Sequence, residues 1–276
     1  MPLHRFGWLQ KTVRHSIDLQ HEQDILLRRA ADLAGQSTAQ FIIDSVCKAA
    51  ERTVLDQRHF VVSGSERQKI IALRQRVATP SPALCRLLTQ KAPWEGESAL
   101  HAPEPLAPAH SIVQFDCGRP ALNDWLAHRA RQAQLKNAAR TFVVSAQGRV
   151  VGYFSLSVGQ IDSREFPGYG TPAVDRQIFP LPIALLNRLA VDSLYQHQGL
   201  GRALLRDAIL HVLSISEQIG VTALLIQPLN EPAARFYLAC GFIQSPAAYK
   251  QLMLPFEDMQ AAWRDAQTPA LTQRQA

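Results

Sequence analysis

The chain has 276 residues, of which 47% are apolar and 19% charged, with a formal net charge of +6. This apolar content supports a buried core and excludes a largely disordered chain, and the length suffices for about two domains. No apolar run approaches the roughly 20 residues of a membrane-spanning helix, and no secretory signal is visible at the start, so we expect a cytoplasmic protein with no membrane partner. The cysteines stand far apart, without a CxxC or Cys/His cluster, which predicts neither disulfides nor a metal site.

Composition marks a boundary near residue 101. Residues 101–108 read HAPEPLAP, and proline at that density disfavours both helix and sheet, which predicts a connector. The preceding stretch, 58–91, has seven Lys or Arg residues and one Glu. A basic block is typical of a solvated face, and it is also compatible with a polyanionic partner.

The first 57 residues contain one strand pattern and two helix patterns. Residues 12–19 alternate with the period of a β-strand. A helix over 21–34 is ended by Gly35, and Ser37 can cap a second helix that runs to about Leu55. A lone strand leaves its backbone groups unpaired, so we expect two copies to pair their strands antiparallel beneath four helices. This is a ribbon-helix-helix dimer, whose two-stranded ribbon fits the major groove of DNA.

Residues 11–94 resemble the ribbon-helix-helix antitoxins of the TacA type, including RTVLDQRHFVVSGSE and PSPALCRLLTQKAPW. The resemblance implies that Arg14 and Ser16, which point outward from the strand, contact operator DNA. Asp18 would repel phosphate, and Gln20 replaces the threonine cap of the family, so a dimerisation module without DNA binding is the alternative. The resemblance also implies that the segment after the second helix covers the active site of a toxin.

From residue 106 onward, helix and strand patterns alternate. We predict a helix over 121–137 and strands over 141–146, 150–158, 183–191 and 223–229. Gln147-Gly148 is a hairpin signal, and Asn230 can cap a helix with Pro232 in its first turn.

A glycine-rich turn follows the strand that ends in LAV, and it leads into a helix as QHQGLGRALL. Glycines let the backbone approach a ligand, and the free N–H groups of a first helical turn attract an anion. The spacing lacks the third glycine of a dinucleotide fingerprint and the Gly-Lys-Ser/Thr of a P-loop. A two-glycine turn alone is often only a tight turn.

The combination of segments resembles the GNAT acetyltransferases. Gln196-x-x-Gly199-x-Gly201 matches their Q/R-x-x-G-x-G/A pyrophosphate loop, and NEPAARFYLACGF is similar to the motif whose tyrosine faces the coenzyme A sulfur. FDCGRPALNDWL, RTFVV, NRLAVDSLYQHQGLGRALLRDA and LMLPF resemble the TacT-type toxins, over about 104–262.

These resemblances imply an α+β protein in four parts. The parts are a ribbon-helix-helix domain (11–57), a toxin-neutralising segment and linker (58–100), a GNAT domain with a mixed, splayed sheet (101–262) and a flexible tail (263–276).

The GNAT resemblance implies that acetyl-CoA binds where strands 183–191 and 223–229 splay apart. The cofactor-binding residues that it implies are Leu189, Ala190, Val191, Gln196, Gln198, Gly199, Leu200, Gly201, Arg202 and Asn230. Tyr237 is the implied acid that protonates the departing thiolate. His197, Glu231 and Asp192 are all candidates for a general base, and the sequence does not choose between them.

The TacT resemblance implies acetylation of the amino group of aminoacyl-tRNA, which blocks translation, by an enzyme that its own antitoxin domain inhibits. A polyanionic substrate predicts a positive rim, with Arg140 and Arg188 as tRNA-binding residues. Arg206 and Arg235 are expected to be ordinary surface residues. Two alternatives stay open: a DNA-binding autorepressor with a catalytically passive GNAT half, and a GNAT enzyme that acts on a protein lysine or a small amine.

Overall fold

The computed structural model describes residues 13–96, 98–163, 180–248 and 250–268. The chain forms two compact units, one through Asp56 and the other from Gln57 onward. The predicted neutralising segment 58–100 and the predicted GNAT domain therefore share one unit. Residues 11–12 of the predicted first domain and 269–276 of the predicted tail lie outside the described residues.

The first unit consists of two helices, α1 (His21–Leu33) and α2 (Thr38–Leu55), as predicted. Gly35 ends α1 at a φ of +65°, and the Ser37 hydroxyl accepts the amide of Gln40 at 3.2 Å at the start of α2. Residues 13–20 form no strand within one chain, because a β-strand needs a partner to pair with. Large apolar side chains lie exposed on both helices: Ile25, Leu26, Leu33, Ile43, Val46 and Val54.

The second unit is built on an eight-stranded mixed sheet. Its strands are β1 (His59–Val62), β2 (Glu104–Pro105), β3 (Arg140–Ala146), β4 (Arg149–Ser163), β5 (Leu181–Val191), β6 (Ala223–Ile226), β7 (Ile243–Gln244) and β8 (Leu252–Pro255). Its helices are α3 (Gly64–Gln75), α4 (Pro82–Thr89), α5 (Pro120–Asp124), α6 (Ala130–Leu135), α7 (Leu200–Ser216), α8 (Glu231–Ala239) and α9 (Phe256–Gln267). The strand order is β2-β3-β4-β5-β6-β8-β7, and β1 pairs with β4.

The central strands carry the predicted topology. β3 and β4 form a hairpin through Gln147 (φ +50°) and Gly148 (φ +80°). β5 runs antiparallel to β4 and parallel to β6, which makes the sheet mixed.

The segment 57–96 contributes to the core on one face of this sheet. Tyr153 and Ile161 lie eight residues apart on β4 and therefore face the same side. Tyr153 packs in a cluster with Trp125, which lies between α5 and α6, whereas Ile161 packs in a cluster with Phe60 and Val62 of β1. On the opposite face, the ring of Phe142 lies 4.2 Å from that of His211 on α7.

Three predicted boundaries differ from the structure. The predicted helix 121–137 is interrupted by a π-helical turn at Trp125–Arg129 and ends at Leu135. The strand predicted over 223–229 ends at Ile226, because its pairing with β8 ends there and Pro228 has no N–H to donate. The predicted tail begins too early, since burial of Met259 and Ala262 holds α9 in place as far as Gln267.

Candidate active site

The candidate site lies where β5 and β6 separate. Their pairing is recorded at Ala184 with Leu224 and at Leu185 with Leu225, while β5 continues to Val191. On its other edge β5 has a β-bulge in its pairing with β4. Ser155 pairs with Arg188 and Leu156 with Leu186, so Asn187 is an extra residue without a partner position on β4. A bulge of this kind bends a strand and increases its twist. β5 thus continues to Val191, six residues beyond its last pair with β6, at the place where the GNAT resemblance implies a splay.

Leu189, Ala190 and Val191 lie beyond the last β5–β6 pair. Ala190 pairs with Tyr153 and Val191 with Gly152 on β4, and both side chains are buried. Leu189 is half-buried. One edge of this stretch is thus fixed by β4, and its other edge faces the splay, where an extended chain could add backbone hydrogen bonds.

The loop after β5 is held by the side chain of Gln196. Its amide nitrogen donates to the carbonyl of Val191 at 2.9 Å and to that of Cys117 at 3.2 Å. Gln196 therefore ties the loop to the end of β5 through its side chain. Gln198 similarly donates to the carbonyl of Leu194 at 3.0 Å.

The glycines set the start of α7. Gly199 caps the helix at a φ of +84°, a conformation that favours glycine. A Cβ on Gly201 would lie 3.8 Å from both Val191 and Phe236, so this small residue lets α7 begin close to β5 and α8. Leu200, which lies between the two glycines in the sequence, is buried and anchors the first turn of α7. The amide of Arg202 donates to Gly199 at 3.0 Å, so only the preceding amides of the turn are candidates for an anion.

The side chain of Tyr237 lies in an aromatic setting on α8. Its ring stands edge-on to Phe236 at 4.9 Å and to Phe242 at 5.6 Å. Burial raises the pKa of Tyr237 well above its ordinary value, so the phenol stays protonated at physiological pH. Asn230 caps α8 as predicted, since its side-chain oxygen accepts the amide of Ala233 at 2.9 Å.

The three candidate bases differ in their surroundings. Asp192 is 1% exposed, pairs with Arg149 at 2.8 Å and accepts the amide of Leu194 at 3.1 Å, which makes it a structural carboxylate. Glu231 lies 3.9 Å from Arg235 on the surface of α8. His197 is exposed at a φ of +61° in the loop.

The predicted nucleic-acid-binding residues fall into contrasting environments. Arg140 is exposed and donates to the carbonyl of Gln134 at 3.0 Å. Arg188 is 3% exposed, with its guanidinium 3.6 Å from the centre of the Trp125 ring, so it lies inside the domain and not on an open rim. In the first unit, Arg14 and Ser16 are both exposed.

The segment 57–96 is fastened beside the glycine loop. Arg206 of α7 donates to the carbonyl of Leu88 at 3.2 Å and pairs with Glu95 at 2.6 Å. The hydrogen bond from Arg206 lowers the pKa of Glu95. The expectation that Arg206 is an ordinary surface residue is therefore wrong, because the sequence does not reveal a partner 111 positions away.

A second contact fixes the start of α4. Gly241, which follows α8 at a φ of +101°, lies so close that an added Cβ would be 2.6 Å from Ser81 and 2.9 Å from Leu84. Beyond the end of α4, a cavity of about 230 Å³ lies between the segment and the glycine loop. The side chains and backbone that line it include Gln90, Lys91, Gly199, Arg202 and Arg206.

In the part of the chain that the structure describes, no helix is long and apolar enough to cross a membrane. The same residues hold no group of three or more His, Cys, Asp or Glu side chains arranged to hold a metal ion.

Comparison with known proteins assigns a family to each half. Residues 15–92 match the antitoxin TacA 1-like family, and residues 137–244 match the GNAT acetyltransferase domain. A tRNA-acetylating toxin of Mycobacterium tuberculosis is 37% identical over 165 residues, which cover 59% of this chain and 97% of that protein. The chain belongs to the TacT-type family of GNAT acetyltransferase toxins. It carries a TacA-like antitoxin domain ahead of the toxin domain: antitoxin TacA1 of Salmonella typhimurium is 29% identical over 90 residues, or 32% of this chain and 95% of that protein.

Solved structures agree with this assignment. A crystal structure of AtaTR bound with AcCoA is 27% identical with a TM-score of 0.53, and the match covers 59% of this chain and 96% of that one. AtaT complexed with acetyl-methionyl-tRNAfMet is 26% identical with a TM-score of 0.50, covering 59% and 98%. The KacTA–DNA complex is 28% identical with a TM-score of 0.51, covering 60% and 99%.

In this TacA–TacT fusion, the structure adds residues that the sequence did not single out. Leu88 and Glu95 hold the antitoxin-like segment on α7, and Gln90 and Lys91 line the cavity at the glycine loop. The basic block 58–91 includes Lys91, but the sequence does not distinguish this lysine from the other six basic residues, because its position beside the glycine loop depends on the fold.

Proposed function

We propose that this chain transfers the acetyl group of acetyl-CoA to the amino group of aminoacyl-tRNA and that segment 57–96 restrains the transfer. The observation that carries the proposal is the separation of β5 from β6 beside a glycine-capped helix, in a chain that is similar to a tRNA-acetylating toxin. The likeness to AtaT complexed with acetyl-methionyl-tRNAfMet supports the same class of acceptor.

The residues of the site fit acetyl-CoA. Leu189 and Val191 would pair their backbone with the pantetheine arm along the free edge of β5, and the first turn of α7 from Gly199 would hold the pyrophosphate. When bound, acetyl-CoA supplies an acetyl group activated as a thioester. Acetyl transfer forms a bond from the acceptor nitrogen to the carbonyl carbon and breaks the bond from that carbon to sulfur.

Tyr237 would donate its proton to the departing sulfur. A buried phenol that stays protonated can donate a hydrogen bond to the sulfur as negative charge develops there. Because the phenol is the weaker acid, any proton that it passes to sulfur has to be replaced by the one that the acceptor amine loses. The proton that the acceptor amine loses has no assigned receiver among Asp192, Glu231 and His197. Arg140 would attract tRNA at the surface, whereas the burial of Arg188 argues for a role in positioning Trp125.

Segment 57–96 would act as an internal restraint. Its α4 with residues 90–95 lies beside the glycine loop, while β1 and α3 pack against the first half of β5, on the far side of the strand's length from the loop. A restraint that is covalently attached has a high effective concentration, so we expect the purified chain to be weakly active.

The first unit would form a homodimer that binds operator DNA. Its exposed apolar residues on α1 and α2 require a cover, and a second copy would supply it together with a partner for residues 13–19. The likeness to the KacTA–DNA complex supports DNA as a partner, with Arg14 and Ser16 on the outer face of the ribbon.

Acetyl transfer to charged tRNA tests the proposed function. The experiment uses the full chain carrying Leu84→Asp and Leu88→Asp, two buried positions of α4, which should release α4 and the residues that follow it. In that background Tyr237→Phe should lower kcat by about 10²-fold or more, at the low end of general-acid effects, with little change in KM for acetyl-CoA. Tyr153→Phe is the matched control, because the same hydroxyl is removed at a site where it donates to the carbonyl of Leu122 at 2.8 Å.

The acceptor is tested in the same assay with charged tRNA, uncharged tRNA and a lysine-containing peptide. Labelling of charged tRNA alone supports the proposal. Preferential labelling of the peptide, or transfer that Tyr237→Phe leaves unchanged, would contradict the assigned acceptor or the assigned acid, respectively.

A further inference from the structure

We infer that segment 57–96 supplies part of the binding site for the phosphates of acetyl-CoA, through Lys91 and Gln90. The inference rests on the proposed function, in which the glycine loop holds acetyl-CoA. It gives the restraining segment a second role, because a segment that helps to bind acetyl-CoA cannot inhibit by excluding it.

The backbone around Lys91 is pinned on both sides. The carbonyl of Leu88 accepts from Arg206 at 3.2 Å, and the carboxylate of Glu95 pairs with the same arginine at 2.6 Å. The amide of Gln90 donates to Arg86 at the end of α4, and Ala92 accepts the amide of Glu95. Residues 89–94 therefore form a short, anchored arch, and this arch carries Gln90 and Lys91 onto the wall of the cavity of about 230 Å³.

The opposite wall of the cavity is the predicted pyrophosphate loop. Gln198, Gly199 and Arg202 line that wall, so the two walls bring residues from separate halves of the chain to one space. Gly199 begins a helix of 17 residues, whose N-terminal amides favour an anion. The cavity thus adjoins the loop at the place where an anion is expected.

The charges around the cavity favour an anionic ligand. Lys91, Arg202 and Arg206 are cationic, and the described residues that line the cavity include no carboxylate. Glu95, outside this lining, pairs with Arg206, and the charge of Lys91 also helps to lower its pKa, so three cations face one nearby carboxylate and the net charge beside the cavity stays positive.

Coenzyme A has a pyrophosphate and a 3′-phosphate. Lys91 and Arg202 could therefore each interact with a phosphate in addition to the amides of the glycine loop. Lysine binds phosphate as a flexible point charge, and the Gln90 amide can donate to a phosphate oxygen. Inhibition by segment 57–96 would then fall on the acceptor, while acetyl-CoA remains bound.

Calorimetric titration of the full chain with acetyl-CoA tests the inference. Lys91→Glu should weaken binding roughly ten-fold at low salt, and Lys91→Gln should weaken it less, since reversal adds repulsion to the lost attraction. Lys69→Glu is the matched control: this lysine is exposed on α3, outside the cavity lining, and its variant should bind within about two-fold of the original chain. Thermal melting of each variant checks that the fold is kept.

Unchanged or tighter binding by Lys91→Glu and Lys91→Gln would overturn the inference. If the original chain binds no acetyl-CoA and the Leu84→Asp/Leu88→Asp variant binds it, the segment excludes acetyl-CoA, which overturns the inference and leaves the proposed function standing. If neither binds, the proposed function fails and the inference fails with it.

Discussion

The two parts of the antitoxin-like sequence differ in how many of their apolar side chains are buried. The family match runs over residues 15–92, yet the compact units divide at Asp56. In the described part of the first unit, only Ala31 and Leu55 are buried, whereas the shorter stretch beyond it buries Phe60, Val62, Ile70, Leu84, Leu87, Leu88 and Ala92. One sequence family thus behaves in two ways: the first part leaves apolar side chains exposed, which the proposed dimer would cover, and the second part completes the core of the toxin domain.

This difference gives segment 57–96 a structural role as well as the proposed regulatory one. Gly159 shows how closely it is built in, since an added Cβ there would lie 2.4 Å from the backbone oxygen of Arg58. The antitoxin-like stretch is therefore accommodated by the toxin sheet itself, at a position where a larger residue would not fit.

Truncation of Phe60 should have the largest effect on the stability of the second unit. Phe60→Ala removes a side chain that is 2% exposed in the cluster with Ile161 and Ile183, and it should lower the free energy of unfolding by about 3–5 kcal/mol. Leu26→Ala changes a side chain of the first unit that is 67% exposed. It should change the free energy of unfolding of the second unit by no more than about 0.5 kcal/mol. Urea denaturation followed by tryptophan fluorescence measures both. A loss below about 1 kcal/mol for Phe60→Ala would mean that the segment only lies over a complete domain.

A pair of glycines sharpens the comparison with an intermediate effect. Gly241 and Gly35 both have a positive φ, but an added Cβ would clash with Ser81 and Leu84 only at Gly241, while at Gly35 nothing lies within 4 Å. Both alanine variants should lose about 1 kcal/mol to backbone strain, and Gly241→Ala should lose about 1–3 kcal/mol more through overpacking. Equal losses in thermal melting would indicate that α4 does not pack closely on the turn after α8.

A charge in the first unit should have the smallest effect on the second unit and the clearest effect on assembly. Leu26→Asp places a carboxylate on the exposed apolar surface, which should prevent dimer formation while the melting of the second unit stays unchanged. Light scattering at micromolar concentration should give a dimer for the original chain and a monomer for the variant. A monomeric original chain would contradict the proposed ribbon dimer.

Local patterns predicted the catalytic half well. The alternation of apolar residues located β3, β4 and β5, the hairpin at Gln147-Gly148 and the cap at Asn230, because each of these depends on neighbours in the chain. The splay could be predicted from the resemblance of the loop and strands to the GNAT family, whereas the bulge at Asn187 that accompanies it becomes visible only in the pairing of β4 with β5.

Long-range contacts explain what the sequence did not reveal. β1 has four residues and depends on pairing with β4, about a hundred positions away, so its own pattern is too short to predict a strand. The burial of Arg188 against Trp125 and the pairing of Arg206 with Glu95 likewise depend on the fold. An arginine in the sequence indicates a charge, and only its surroundings decide whether that charge meets solvent, an aromatic ring or a carboxylate.

The central claim is that segment 57–96 restrains a competent acetyltransferase. The most direct test is the rate of labelled acetyl transfer onto charged tRNA, at saturating acetyl-CoA, by the full chain with and without Leu84→Asp and Leu88→Asp. The account predicts at least a ten-fold higher rate for the variant, because buried carboxylates on α4 would displace it from α7 and α9. A variant that remains folded, binds acetyl-CoA and transfers at the original rate would contradict the account.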